Sequence, residues 1–80
     1  MRTNKPIRLK YGPASVCDWI GGPNLPTGQE LWAWCQTLDS SGNTWYYVRP
    51  EPEDPGDHWD PGWIYSGDVD GVSSGIPTCA

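Results

Sequence analysis

The stretch Thr44-Trp45-Tyr46-Tyr47-Val48-Arg49, continued after an acidic, proline-rich insert by Gly62-Trp63-Ile64-Tyr65-Ser66-Gly67-Asp68-Val69, decides how this chain is read. Residues 44–48 are almost all β-branched or aromatic, the side chains that fit a half-buried pleated surface. Trp63-Ile64-Tyr65 repeats that chemistry after the turn residues Pro61 and Gly62. The two runs therefore predict an aromatic hairpin. Alternation sets Trp45 and Tyr47 against Tyr46 and Val48, and Trp63 and Tyr65 against Ile64. One face is expected to be core and the other a candidate binding surface, with Trp63 in the core.

Outward from this hairpin the chain reads as one small all-β domain. Asp39-Ser40-Ser41-Gly42-Asn43 is a strong turn cluster, so the strand expected over Gln29 to Thr37 should pair with residues 44–48. In that strand Leu31, Ala33 and Cys35 share one face and Trp32, Trp34 and Gln36 the other, which predicts that one side packs in the core and a loop covers the other. Ile7-Arg8-Leu9-Lys10-Tyr11 alternates as a strand with one wet face, and Gly12-Pro13 ends it. Residues 14–28 form a long irregular loop whose Val16, Trp19, Ile20 and Leu25 should fold back on the sheet. Ser66 to Gly71 reads as a tight or 3₁₀ turn and Val72 to Ile76 as a last short strand. Residues 1–5 are expected to be a flexible basic arm and residues 6–80 the single domain.

Composition narrows the function. A chain of 80 residues with six Trp, four Tyr and no Phe has little material for a core, and each large ring can bury about 150–250 Å². Most tryptophans are accordingly expected in the core. The net charge is −5, with four of the five basic residues in the first ten positions and five of the ten acids between Glu51 and Asp60. Nucleic-acid binding needs a broad basic surface that this chain does not have. No run approaches the roughly 20 apolar residues of a membrane span, and no signal-peptide core is seen. The chain is thus either a mature exported form or intracellular.

Catalytic and metal readings find little purchase. The carboxylates Glu51, Glu53, Asp54, Asp57 and Asp60 crowd one proline-rich loop, whereas a glycosidase acid needs a rigid apolar setting. His58 is the single histidine, and nothing resembles a nucleophile elbow. Cys17, Cys35 and Cys79 lack any C-x-x-C spacing, which disfavours zinc. Asp68-Val69-Asp70-Gly71 lacks the bidentate Glu of a calcium loop. No enzyme activity, cofactor or metal is therefore expected. Among the cysteines, one disulfide with a leftover thiol fits an exported chain, and three reduced thiols an intracellular one.

The order of these features resembles the bacterial SH3-like domains of secreted and cell-envelope proteins. Residues 7–13 are similar to that family's opening V-N-V-R-x-G-P segment, and Trp19-Ile20-Gly21 to its hydrophobic-Gly step. Residues 25–31 are similar to L-x-x-G-x-x-V, Gly42 to Val48 to G-x-W-Y-K-V, and Gly62 to Tyr65 to G-W-V. The resemblance spans residues 6–72, departing in the insert of about ten residues and in the third cysteine. It implies a small barrel of about five antiparallel strands, with a long first loop and the insert in a hairpin. Cys35-Gln36-Thr37 with Pro77-Thr78-Cys79 further resembles small secreted actinobacterial members, which implies a Cys35–Cys79 bridge and leaves Cys17 odd, available for a disulfide-linked or weak homodimer.

The function implied is a non-catalytic binding module of the cell wall or envelope. Its partner would be a peptidoglycan peptide or an envelope protein. Tyr11, Trp45 and Tyr65 fall close to the family's aromatic groove; Trp59, Asp57 and Asp60 of the acidic insert join them as candidate ligand-binding residues. The alternative is a cytoplasmic or phage-encoded interaction or inhibitor protein that uses the 50–61 insert.

Overall fold

Five short strands carry the computed structural model, which describes residues 1–51 and 61–79. In chain order they are β1 (Arg2–Thr3), β2 (Leu31–Leu38), β3 (Thr44–Pro50), β4 (Gly62–Tyr65) and β5 (Val69–Asp70), with one 3₁₀ turn at Ser66–Asp68. They make two antiparallel sheets, β2-β3-β4 and β1-β5. The fold is all-β, as expected, but no continuous ladder closes it into a barrel. Isolated bridges, Arg2 to Glu30, Ile7 to Leu25 and Lys10 to both Trp19 and Trp63, tie the sheets and loops together instead.

The β2–β3 hairpin is built by its turn. Asp39 Oδ1 accepts the main-chain N–H of Ser41 at 2.8 Å and of Asn43 at 3.0 Å, and its Oδ2 accepts the Trp45 indole N–H at 2.9 Å. Gly42 supplies the left-handed residue, at φ 85°. One carboxylate thus organises the turn and anchors the first large ring beyond it. These donors, Trp45 first and then the Asn43 N–H, outweigh partial burial and hold the Asp39 carboxyl below its ordinary value.

The register explains which rings face out. Tyr46, Val48 and Ile64 point inward and meet Ile7, Leu9, Leu25, Leu31 and Val69 in an aliphatic core. On β2 the register slips between Ala33 and Cys35. Ala33 pairs with Val48 on the core face, whereas Cys35 pairs with Tyr47 on the outer one, because Trp34 is the extra residue of a β-bulge. The expected common face for Leu31, Ala33 and Cys35 is therefore broken.

Other expectations are corrected as well. The core is aliphatic apart from Tyr46, and of the five described tryptophans Trp45 alone is buried. Trp63 stands half-buried on the outer face, since its neighbour Ile64 takes the inward position. The 14–28 loop does not cover Trp32 and Trp34; it docks on residues 7–11 through Ile20 N–H to Leu9 O and the reciprocal Ile7–Leu25 pair. Residues 1–5 are not a free arm. Thr3 is fully buried between β5 and Gln29, its hydroxyl donating to Pro26 O at 2.7 Å and accepting Gln29 N–H at 3.0 Å. Residues 72–76 form no strand; the pairing falls on Val69 and Asp70 instead.

The C-terminal tail is pinned. Cys35 and Cys79 are joined, with S–S 2.03 Å, and Gln36 exchanges main-chain bonds with Pro77 and Cys79 while its amide donates to Ile76 O. The open edge of β2 is thus covered along part of its length, which removes a template for edge-to-edge pairing.

Candidate functional site

The outer face of the three-stranded sheet carries a continuous row of rings. Trp32 and Trp34 meet edge to face at 5.1 Å between centroids, Trp34 and Tyr47 lie at 5.3 Å, and Tyr47 and Trp63 at 5.1 Å. Trp45 and Tyr65 form a further pair at 5.5 Å. Trp32 and Trp34, two residues apart on β2, reach the same side, and the bulge at Trp34 leaves Cys35 next to them on the outer face. Trp32 is 43% exposed, Trp34 37% and Tyr65 36%. Such rings offer large contact area with few rotors to freeze.

A cation flanks one end of the row. The Arg49 guanidinium carbon lies 5.4 Å from the Trp32 centroid and 6.0 Å from that of Trp34, within cation–π range. Arg49 also approaches Glu51 at 3.5 Å. Beside Trp32 a cleft of about 350 Å³ opens, lined by Glu30, Glu51, Met1 and the 73–77 segment. An extended ligand on the rings can run into this recess.

At the other end, Trp45, Trp63 and Tyr65 share a narrow crevice with Arg8, Lys10, Trp19 and Asp68. Lys10 is buried with no carboxylate partner among the described residues. Its ammonium donates to Ser15 O at 3.1 Å and Cys17 O at 2.9 Å and sits 3.8 Å from the Trp19 ring centroid. This is why the alternation of residues 7–11 fails at Lys10: loop carbonyls and an indole face replace its water. Arg8 and Trp19 also line a larger cleft of about 360 Å³ with Lys5, Pro6, Ile7, Asn24 and Asp68.

The candidate residues from the sequence fall into four groups. Tyr65 lies on the outer face and in the crevice. Trp45, at 4% exposure, has its indole N–H spent on Asp39 and supports Tyr65 from beneath rather than facing solvent. Tyr11 is 68% exposed, on the loop side beside the Lys10 bridges. Trp59, Asp57 and Asp60 lie outside the described residues. Trp32, Trp34, Tyr47 and Arg49 are missed from the sequence, because a loop is expected to cover the face that holds Trp32 and Trp34. The excess of aromatic residues over what a small core can hold was the available sign. Among the described residues no cluster of His, Cys, Asp and Glu could hold a metal ion, and no helix is long and apolar enough to cross a membrane.

Fold and site together define a small disulfide-linked all-β domain with an exposed aromatic sheet face. The chain matches no protein-family model, no curated protein and no solved structure.

Proposed function

We propose that the protein is a non-catalytic binding module, related to bacterial SH3-like domains, that recognises the peptide part of a cell-wall polymer. The observation that carries this reading is the row Trp32, Trp34, Tyr47 and Trp63, held outside the core although the core is small. A domain of this size gains stability from every buried ring, roughly 1.5–3 kcal/mol for a large apolar side chain. Leaving this area at the surface is a cost to folding that a binding role offsets. The bridge between Cys35 and Cys79 supports an exported location, since such bonds persist in oxidising compartments. A polymer carrying peptide amides, amines and carboxylates suits a face whose ends hold Glu30 and Glu51 on one side and Arg8 on the other.

Co-sedimentation with purified sacculi tests this. The wild-type chain should sediment with them, and the double variant W32A/W34A should lose at least about tenfold in apparent affinity, as expected for central aromatic contacts. Near-UV circular dichroism reports whether the variant keeps the remaining ring packing. No co-sedimentation, or binding that the double variant leaves unchanged, refutes the proposal.

A further inference from the structure

We infer that the cleft beside Arg8 is a carboxylate site, and that its ligand is the free C-terminal end of a short peptide. The inference deepens the binding-module reading by naming a ligand group, and it is tested separately from the aromatic face.

The charges point to it first. Arg2 approaches Glu30 at 3.4 Å and Lys5 lies 2.8 Å from Asp68; Lys10 is held by loop carbonyls and Arg49 pairs with Glu51. Among the described residues, Arg8 is the one cation whose side chain has neither an ion pair nor a hydrogen bond. It is half-buried, so its guanidinium is not simply spread into water. The cleft it lines also contains Lys5 and Asp68, which neutralise each other. Among the described residues one uncompensated positive charge remains, which matches a single carboxylate better than a doubly charged phosphate. The guanidinium fork fits the planar carboxylate with two parallel N–H donors, a geometry that adds direction to charge.

The walls point to a peptide. Pro6, Ile7 and the Trp19 ring supply apolar surface for a terminal side chain, and the Asn24 amide can both donate to and accept from a peptide bond. Lys10 fixes the Trp19 ring from one face, so this wall is set before the ligand arrives, which lowers the ordering cost of binding. Ile7 spends its main-chain groups on Leu25, whereas the N–H and C=O of Arg8 form no hydrogen bond among the described residues. An extended peptide therefore finds a main-chain partner next to the cation. At about 360 Å³ the cleft lies near the lower end of small-ligand pockets, about 300–1,000 Å³, which suits the last one or two residues of a chain.

The test uses the full chain, labelled with ¹⁵N and titrated with acetyl-Ala-Ala-Ala as the free acid and as its C-terminal amide. The acid should move the Arg8 Nε–H and Trp19 Nε1–H resonances saturably. The amide should bind at least about tenfold more weakly, the discrimination expected of a charge-assisted bidentate contact. R8Q should abolish the acid's effect while leaving resonances of the β2-β3-β4 sheet in place, which shows that it folds. Equal binding of acid and amide, or no binding of either, overturns the inference. So do inorganic phosphate moving the same resonances at equal or lower concentration, and shifts confined to the Trp34 and Trp63 indoles. If the acid fails while sacculi still retain the chain, the cleft inference falls and the aromatic-face reading stands. If sacculi do not bind but the acid does, the reverse holds.

Discussion

Removing the Cys35–Cys79 bridge with C35S/C79S should cost this domain a third or more of its stability. The bridge joins residues 44 apart in sequence. For a loop of that length the chain-entropy relation gives about 4 kcal/mol at 25 °C. An 80-residue domain has roughly 4–12 kcal/mol in total, so the loss is a third or more of it. At about 4–8 °C per kcal/mol for a domain of this size, the midpoint of thermal unfolding should fall by roughly 15–30 °C.

The assay is urea unfolding followed by tryptophan fluorescence, comparing the oxidised chain with the double variant, both with Cys17 intact. The variant should also show a larger urea slope, because its denatured state is less constrained and exposes more surface. The competing account is local: the tail is held by Gln36 bonds to Pro77, Cys79 and Ile76, and Ile76 packs on the core. If these contacts suffice, the difference will be below about 1 kcal/mol with an unchanged slope. That result would refute the entropic reasoning.

Gly62→Ala should destabilise by about 1–3 kcal/mol, read by the same unfolding assay, because a Cβ there would stand 2.6 Å from Ile20 Cδ1, 2.8 Å from Leu9 Cβ and 3.0 Å from Lys10 O. Asp39 has a lowered pKa in the fold, so its ionised form stabilises above its unfolded value of about 3.9. That stability is lost as pH falls through the lower folded value; urea midpoints between about pH 5 and pH 2 should decline less steeply in Asp39→Asn. Thr3→Val should cost about 0.5–1.5 kcal/mol, since it removes the hydroxyl's bonds to Gln29 N–H and Pro26 O, which keep only each other at 3.2 Å. Hydrogen exchange should then quicken at Gln29 and Gly28, both bonded to Thr3.

What could be read without coordinates was whatever local chemistry determines. The Asp39–Asn43 turn and the alternation that sets Trp45 and Tyr47 against Tyr46 and Val48 follow from neighbouring residues, and both stand in the structure; which face is core, and the burial of Trp45, do not follow from them. Two kinds of feature were hidden. A strand of two residues such as Arg2–Thr3 is too short to show any period, so its pairing with Val69 and Asp70 comes only from the tertiary arrangement. A bulge breaks the period itself. Counting by twos along β2 set Cys35 with Leu31 and Ala33, and one extra residue at Trp34 carried it across. Trp32 and Trp34 share a face under either count; what hid them was the expected cover by the 14–28 loop, which docks on residues 7–11 instead.

The same slip links stability to recognition. Because Trp34 is the added residue, Cys35 emerges on the outer face, paired with Tyr47, and reaches Cys79. The bulge therefore brings Cys35 to the face that carries the rings and positions the cross-link on the same strand as Trp32 and Trp34. A domain that leaves four large rings outside an aliphatic core forgoes several kcal/mol of burial. The tail bridge supplies an amount of the same order, through the denatured state rather than through packing. Deleting Trp34 should restore ideal pairing without moving Cys35, since Ala33 would still lie opposite Val48 and Cys35 opposite Tyr47. It should remove a central ring from the binding row and leave the bridge to Cys79 in place, so that one thiol is alkylatable as in the parent chain. Three alkylatable thiols in the deletion variant would show that the register does not hold Cys35 on the outer face and would refute this reading.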